Sequence, residues 1–240
     1  LRPDKALNHF SGSCGQSIFR GDNLPADLYG DLIICEPVGR LIRRAKVNNV
    51  NAKRILSHPY EAEKQEFIAS RDRNFRPVHS ATGPDGCLYI VDMYRGIIQE
   101  SAWVAKGSFL RDRILEAGLD KNIGRGRIWR VVSDTATKPS KPPRMLDEST
   151  AQLVAHLSHA NGWWRDTAQK LIILRRDGSV APALKALART GKNPLGRMHA
   201  LWTLEGMDIV DRDLLVEKLK DSDPRVRIAA LRISEVLLQR

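Results

Sequence analysis

Residues 73–98 read RNFRPVHSATGPDGCLYIVDMYRGII, and the Pro84-Asp85-Gly86 triplet at their centre obliges the chain to reverse direction. Proline pre-sets φ for the second turn position, and glycine accepts a backbone conformation that other residues resist. Cys87-Leu88-Tyr89-Ile90-Val91 follows and is apolar throughout, as a strand buried on both faces must be. An extended segment, a tight turn and a buried strand make antiparallel sheet, in the manner of the inner strands of a β-propeller blade. By itself this pattern names no activity.

The same grammar occurs upstream. It predicts strands at 16–20, 31–35 and 39–45, with a polar loop over 21–30 that contains Leu24-Pro25. Short strands divided by Gly, Pro and Asp favour antiparallel sheet over alternating β/α units. The polar stretch 48–66 reads as a long outer loop, 65–69 as an outer strand, and 126–132 as the last strand. Between them 109–117 reads as a short helix stopped by Gly118. About two propeller blades are therefore expected over residues 1–132.

Three runs, FSGSCGQSIFRGDNLPADLYGDLIICEPVGRLIRRAKV, FRPVHSATGPDGCLYIVDMYRGII and GRGRIWRVV, occur in an order that resembles the end of the sorbosone/glucose dehydrogenase-like propeller. The resemblance covers about residues 9–132. It points to the planctomycete-type membrane-bound dehydrogenase, or haem-binding CxxCH, protein family, in which helical HEAT repeats and commonly a cytochrome c domain follow the propeller.

The rest of the chain switches to helical spacing and repeats itself. WRDTAQKL from Trp164, GRMHALWT from Gly196 and VRIAALRI from Val226 align so that Arg165, Arg197 and Arg227 correspond, as do Ala168, Ala200 and Ala230. A small residue at that position lets two helices approach closely. Each of these helices is preceded by another, expected at 150–157, 180–188 and 213–219. Asp223-Pro224 is a strong start signal, an N-cap followed by proline at the first helical position. Helix pairs at this period predict a HEAT-type α-solenoid over residues 147–240. SDTATKPSKPPR, from Ser133, is the Pro- and Lys-rich core of a linker over 133–146. The expected class is thus β + α multidomain: a partial antiparallel propeller followed by a solenoid.

Other features narrow the function. The net charge of +11 is spread over both parts, so nucleic-acid binding is not the expectation, and Arg43-Arg44 read as solvated edge residues. No apolar run is long enough to span a bilayer. There is no initiating Met and no signal peptide, and a two-blade sheet stack would leave edges open. We therefore expect a portion of a longer protein, its ends covered by the remainder of the parent chain or by other subunits of a complex. Cys14, Cys35 and Cys87 contain no C-x-x-C-H, so this stretch attaches no c-type haem. Either Cys14 and Cys35 form a disulfide or all three thiols are free. His156 and His159 share a helix face but form no expected metal site.

The resemblance implies more. In quinoprotein sugar dehydrogenases an arginine before the last-blade turn contacts pyrroloquinoline quinone, and Arg76 is the matching position. A guanidinium suits a carboxylate or quinone oxygen, although Arg76 pairing with Glu36 or Asp92 is the structural alternative. Where those dehydrogenases place a cofactor-binding lysine, this chain has Glu36-Pro37-Val38. Asp92, Tyr94 and Arg95 are expected with Glu36 at the channel mouth, Asp92 as a base, a calcium ligand or a turn-fixing residue. No catalytic set is complete in these residues. Two readings stay open. One is a portion of an exported, periplasmic quinoprotein-like sugar or alcohol dehydrogenase whose parent holds the quinone, calcium and c-type haem and passes electrons to a redox partner. The other is a non-catalytic binding or scaffold module of an extracytoplasmic complex.

Overall fold

The computed structural model describes residues 9–51, 53–98, 104–134 and 142–238, with backbone alone for 236–238. Contacts divide the chain into two compact units, residues 1–138 and 139–240. Half of the expected linker, 135–141, lies outside the described residues.

The first unit is built from two antiparallel meanders. In one, β1 (Cys14–Ile18), β2 (Leu32–Glu36) and β3 (Leu41–Val50) pair in order, and β5 (Ile68–Ala69) lies on the far edge of β3. In the other, β6 (Pro77–Thr82), β7 (Leu88–Asp92) and β8 (Arg127–Val131) pair in order. Apart from β3, which runs on past 45, and β5, which starts three residues late, the strands begin or end one or two residues away from the expected bounds, because pairing with a neighbour decides where an extended segment stops. Residues 48–66 depart from expectation more plainly. Instead of a long loop, β3 continues to Val50, turns through Asn51 and returns as β4 (Lys53–Ser57), in register from Lys46↔Ser57 to Val50↔Lys53. Asn51 holds φ at 48°, a conformation asparagine tolerates. Val47, Val50 and Ile55 supply the strand preference, although Val50 and Ile55 stay exposed.

The turn at Gly83–Gly86 forms as expected. Gly86 takes φ +78°, and its amide donates to the Gly83 carbonyl. Asp85 clamps it, accepting from the Cys87 amide, the Tyr89 hydroxyl and Arg130 Nε. Between Gly118 and Ser108, α1 (Phe109–Glu116) is capped by the Ser108 hydroxyl and stopped by Gly118 in the left-handed region.

The meanders stack with opposite faces together. Ile33, Cys35 and Ile42 of the first meet Leu88 and Ile90 of the second, with Phe19 and Phe75 completing the core. Each fully buried Ile or Leu here stabilises the unit by roughly 2 kcal/mol. Close approach of β1 and β6 requires Gly15: at φ +52° a Cβ there would lie 2.0 Å from the Val78 carbonyl oxygen.

The second unit is three consecutive helix pairs: α2 (Thr150–His156) with α3 (Gly162–Arg175), α4 (Ala181–Thr190) with α5 (Pro194–Gly206), and α6 (Arg212–Lys218) with α7 (Pro224–Leu238). Asn161 and Asn193 cap α3 and α5, accepting from the amides of Trp163 and Leu195; Asp223 does the same for Arg225 before α7. Ala168, Ala200 and Ala230 are buried in the core of this unit. Leu153, Leu157, Ile172, Leu184, Leu201 and Leu204 form the core around them.

Candidate functional site

The polar centre of the first unit sits where β7 ends. Asp92 is 0% exposed and accepts four hydrogen bonds. Its Oδ1 takes the amides of Arg76 (2.8 Å) and Tyr94 (2.9 Å); its Oδ2 takes Arg127 Nε (3.0 Å) and Trp129 Nε1 (3.1 Å). Arg127 lies over the ring of Tyr94 at 3.6 Å and that of Trp129 at 4.5 Å. Tyr94 itself holds φ at 46°, so the backbone turns sharply where the carboxylate grips it. With all four contacts made, Asp92 fastens the start of β6 to the end of β7 and to β8.

Glu36 occupies the corresponding place in the first meander, at the end of β2 and fully buried. Its Oε2 accepts the Gly12 amide (3.1 Å) and the Ser13 hydroxyl (3.2 Å), while Oε1 has no partner among the described residues. A second device also recurs. Arg44 Nε binds Asp31 at 2.6 Å in the first meander, as Arg130 Nε binds Asp85 in the second. Arg44 is therefore not the solvated edge residue expected from sequence: it is buried, with Asp27 and Tyr60 sharing its guanidinium. Burial works against its charge, and the hydrogen bonds it donates to these three partners outweigh it and raise its pKa. Arg43 behaves differently, pairing with Glu66 and lying over the Phe10 ring.

Arg76 spans the two meanders. Nη1 donates to the Pro37 carbonyl (2.7 Å), Nε to that of Arg95 (3.0 Å) and Nη2 to that of Gly96 (3.0 Å). Its side chain thus reaches neither Glu36 nor Asp92, the pairing considered from sequence; only its amide meets Asp92. Burial, and then the charge of Arg40, push its pKa down. Three of its five N–H groups are committed to carbonyls, and Glu36 brings an anion where the dehydrogenases have a cation. On that chemistry these residues do not fit an anionic quinone. Arg95 contributes its carbonyl to this strut, and the Tyr94 carbonyl accepts from Asn122.

A groove of about 520 Å³ runs beside this centre, lined by Ile68, Phe75, Ile90, Arg127 and Trp129. Asp72, also on its wall, is held below the ordinary carboxylate range by the Asn74 amide. The thiols offer little nucleophilic chemistry. Cys14 and Cys35 are directly opposite one another across β1 and β2, and both are free thiols, as is Cys87. Burial, with a smaller contribution from Cys14, pushes Cys35 up to about 11. Among the described residues, no group of three or more His, Cys, Asp or Glu is placed to hold a metal ion.

In the second unit the repeat arginines share one task that the sequence alignment did not disclose. Nη1 of Arg165, Arg197 and Arg227 reaches back to the carbonyls six and five residues earlier: 159 and 160, 191 and 192, 221 and 222. Each arginine therefore closes the turn before its own helix. Arg197 does more, gripping Asp221 of the next pair through Nε (3.0 Å) and Nη2 (2.7 Å), both side chains nearly buried. His156 binds Glu148 at 2.7 Å, and His159 stacks on Trp164.

No helix among the described residues is long and apolar enough to cross a membrane. Residues 1–135 match a family described as Domain of unknown function (DUF7133), and since they are more than half of the chain, the chain belongs to it. No curated protein matches the chain, and no solved structure does.

Proposed function

We propose that this member of the DUF7133 family is a non-catalytic binding and scaffold module of an extracytoplasmic complex, its β unit a section of a β-propeller and its helical unit a HEAT-type solenoid. One observation carries this reading: the head-to-tail stacking of the meanders. The face of the first that carries Ile33 and Ile42 meets the opposite face of the second, so the arrangement does not close on itself. Such heterologous stacking continues until a ring forms or a partner covers the end. The outer face of the second meander accordingly presents Ile128, 67% exposed, beside Val91. Polar groups that a catalyst would deploy are spent on holding strands together: Asp92 through four hydrogen bonds and Arg76 through three carbonyls.

The test uses the whole chain. An environment-sensitive apolar dye should bind it and lose most of that signal in Ile128→Lys with the fold intact by circular dichroism. Reconstitution with pyrroloquinoline quinone and calcium should give no dye reduction with any sugar or alcohol. Quinone-dependent reduction that disappears in Arg76→Lys would replace this reading with the dehydrogenase one.

A further inference from the structure

The three helix pairs repeat not only their sequence but the way each pair touches the next. Counting from the repeat arginine, the first and fourth following residues of α3 are Asp166 and Gln169. Both face α5: Gln169 Oε1 is 2.6 Å from His199 Nδ1, and Asp166 is 4.0 Å from Nε2. In α5 those positions are Met198, packed on the core, and Leu201, 0% exposed. α5 lies between α3 and α7, so both its sides are covered. In α7 the same positions are Ile228 and Leu231, which are 60% and 56% exposed. The arginine follows the same rule. Arg197 spends Nη1 on its own turn and Nε with Nη2 on Asp221 of the following pair. Arg227 spends Nη1 on its own turn in the identical way, and its Nε and Nη2 have no partner among the described residues.

We propose that the α6–α7 end docks one further helical hairpin whose leading turn presents a carboxylate to Arg227 and whose second helix covers Ile228 and Leu231. The carboxylate takes the place that Asp221 holds for Arg197. Charge argues against a second copy of this chain stacking head to tail, because its first pair would bring His159 to that place, and an imidazole lacks the negative charge that Asp221 offers Arg197. The occupant is therefore a helical hairpin with an acidic turn. This names the partner chemistry of the solenoid in the scaffold reading and rests on that reading. Its test reads the helical unit, so it fails separately from the β-face experiment.

The probe is a second copy of residues 207–238 joined in phase after Leu238 of the full chain, which supplies the acidic turn. The melting midpoint of the helical transition should rise by roughly 5 °C, and α7 amides should gain protection from hydrogen exchange. Asp221→Gly in the added copy alone should remove much of the gain, as should Arg227→Met, and the two together should remove no more than either. Amide exchange reports docking even where a variant lowers the midpoint for other reasons. An unchanged midpoint with unchanged α7 exchange would overturn the proposal. So would a gain indifferent to both substitutions, or a dimer of the unextended chain in light scattering that Arg227→Glu abolishes.

Discussion

Replacing Asp92 with asparagine separates a structural carboxylate from a reactive one. Asparagine keeps an oxygen for the amides of Arg76 and Tyr94 but turns an NH₂ group toward Arg127 Nε and Trp129 Nε1, so donor meets donor. Two buried-end donors then lose their acceptor, at about 1–3 kcal/mol each where water is excluded. Water reaches part of both side chains, Arg127 being 37% exposed, which discounts the electrostatic part. A net loss of about 2 kcal/mol remains. For a unit between the small and mid-sized classes, this lowers the midpoint by roughly 6–8 °C. Differential scanning calorimetry should show the shift in the β-unit transition with the helical transition unmoved. Trp129→Phe removes one of the two orphaned donors, so the double variant should cost less than the sum of the singles. A midpoint within 1 °C of wild type, or strict additivity, would show that the carboxylate does not fasten these strands and would return it to a catalytic or calcium-binding role.

Three further outcomes are expected. Gly15→Ala places a methyl group against the Val78 carbonyl at φ +52° and should cost at least about 3 kcal/mol in urea unfolding; a loss under 0.5 kcal/mol would mean β1 and β6 do not approach as described. Leu201→Ala should cost about 2–5 kcal/mol, whereas Leu231→Ala, at the equivalent but exposed position, should cost under about 1 kcal/mol; equal losses would contradict the open α7 face. Acid should weaken the helical unit. Hydrogen bonds from Arg225 hold Asp223 down at about 2, and although burial opposes ionisation of Asp221, Arg197 depresses it as well. Unfolded carboxyls titrate near about 3.9, so the stability these groups add is complete above that pH and is lost as pH falls through their folded values. Helical ellipticity followed by melting should be flat from about pH 7 to 5 and decline from about 4 to 2; an acid-insensitive midpoint would refute the assignment.

Local chemistry by itself determined a good deal. Pro84-Asp85-Gly86 dictated a reversal because proline and glycine leave the backbone few alternatives, and Asp85 then found its clamping role within the same turn. Asp223-Pro224 and the spacing of Arg165, Arg197 and Arg227 announced repeating helices for a similar reason: caps and small residues act within a few positions of themselves. Tertiary structure decided what no local rule reaches. Arg44 and Arg43 are neighbours of the same type, yet one is buried on Asp31 and the other leans on Phe10 and Glu66, because strand alternation sends them to opposite faces. Arg76 reads as a cation waiting for a ligand until the carbonyls of Pro37, Arg95 and Gly96 are brought around it from two separate turns. Asp92 looks equally suited to catalysis until Arg127 and Trp129 arrive from a strand 35 and 37 residues away. A side chain carries its chemistry in its own atoms, but which of its hydrogen bonds are already spent is settled only by folding.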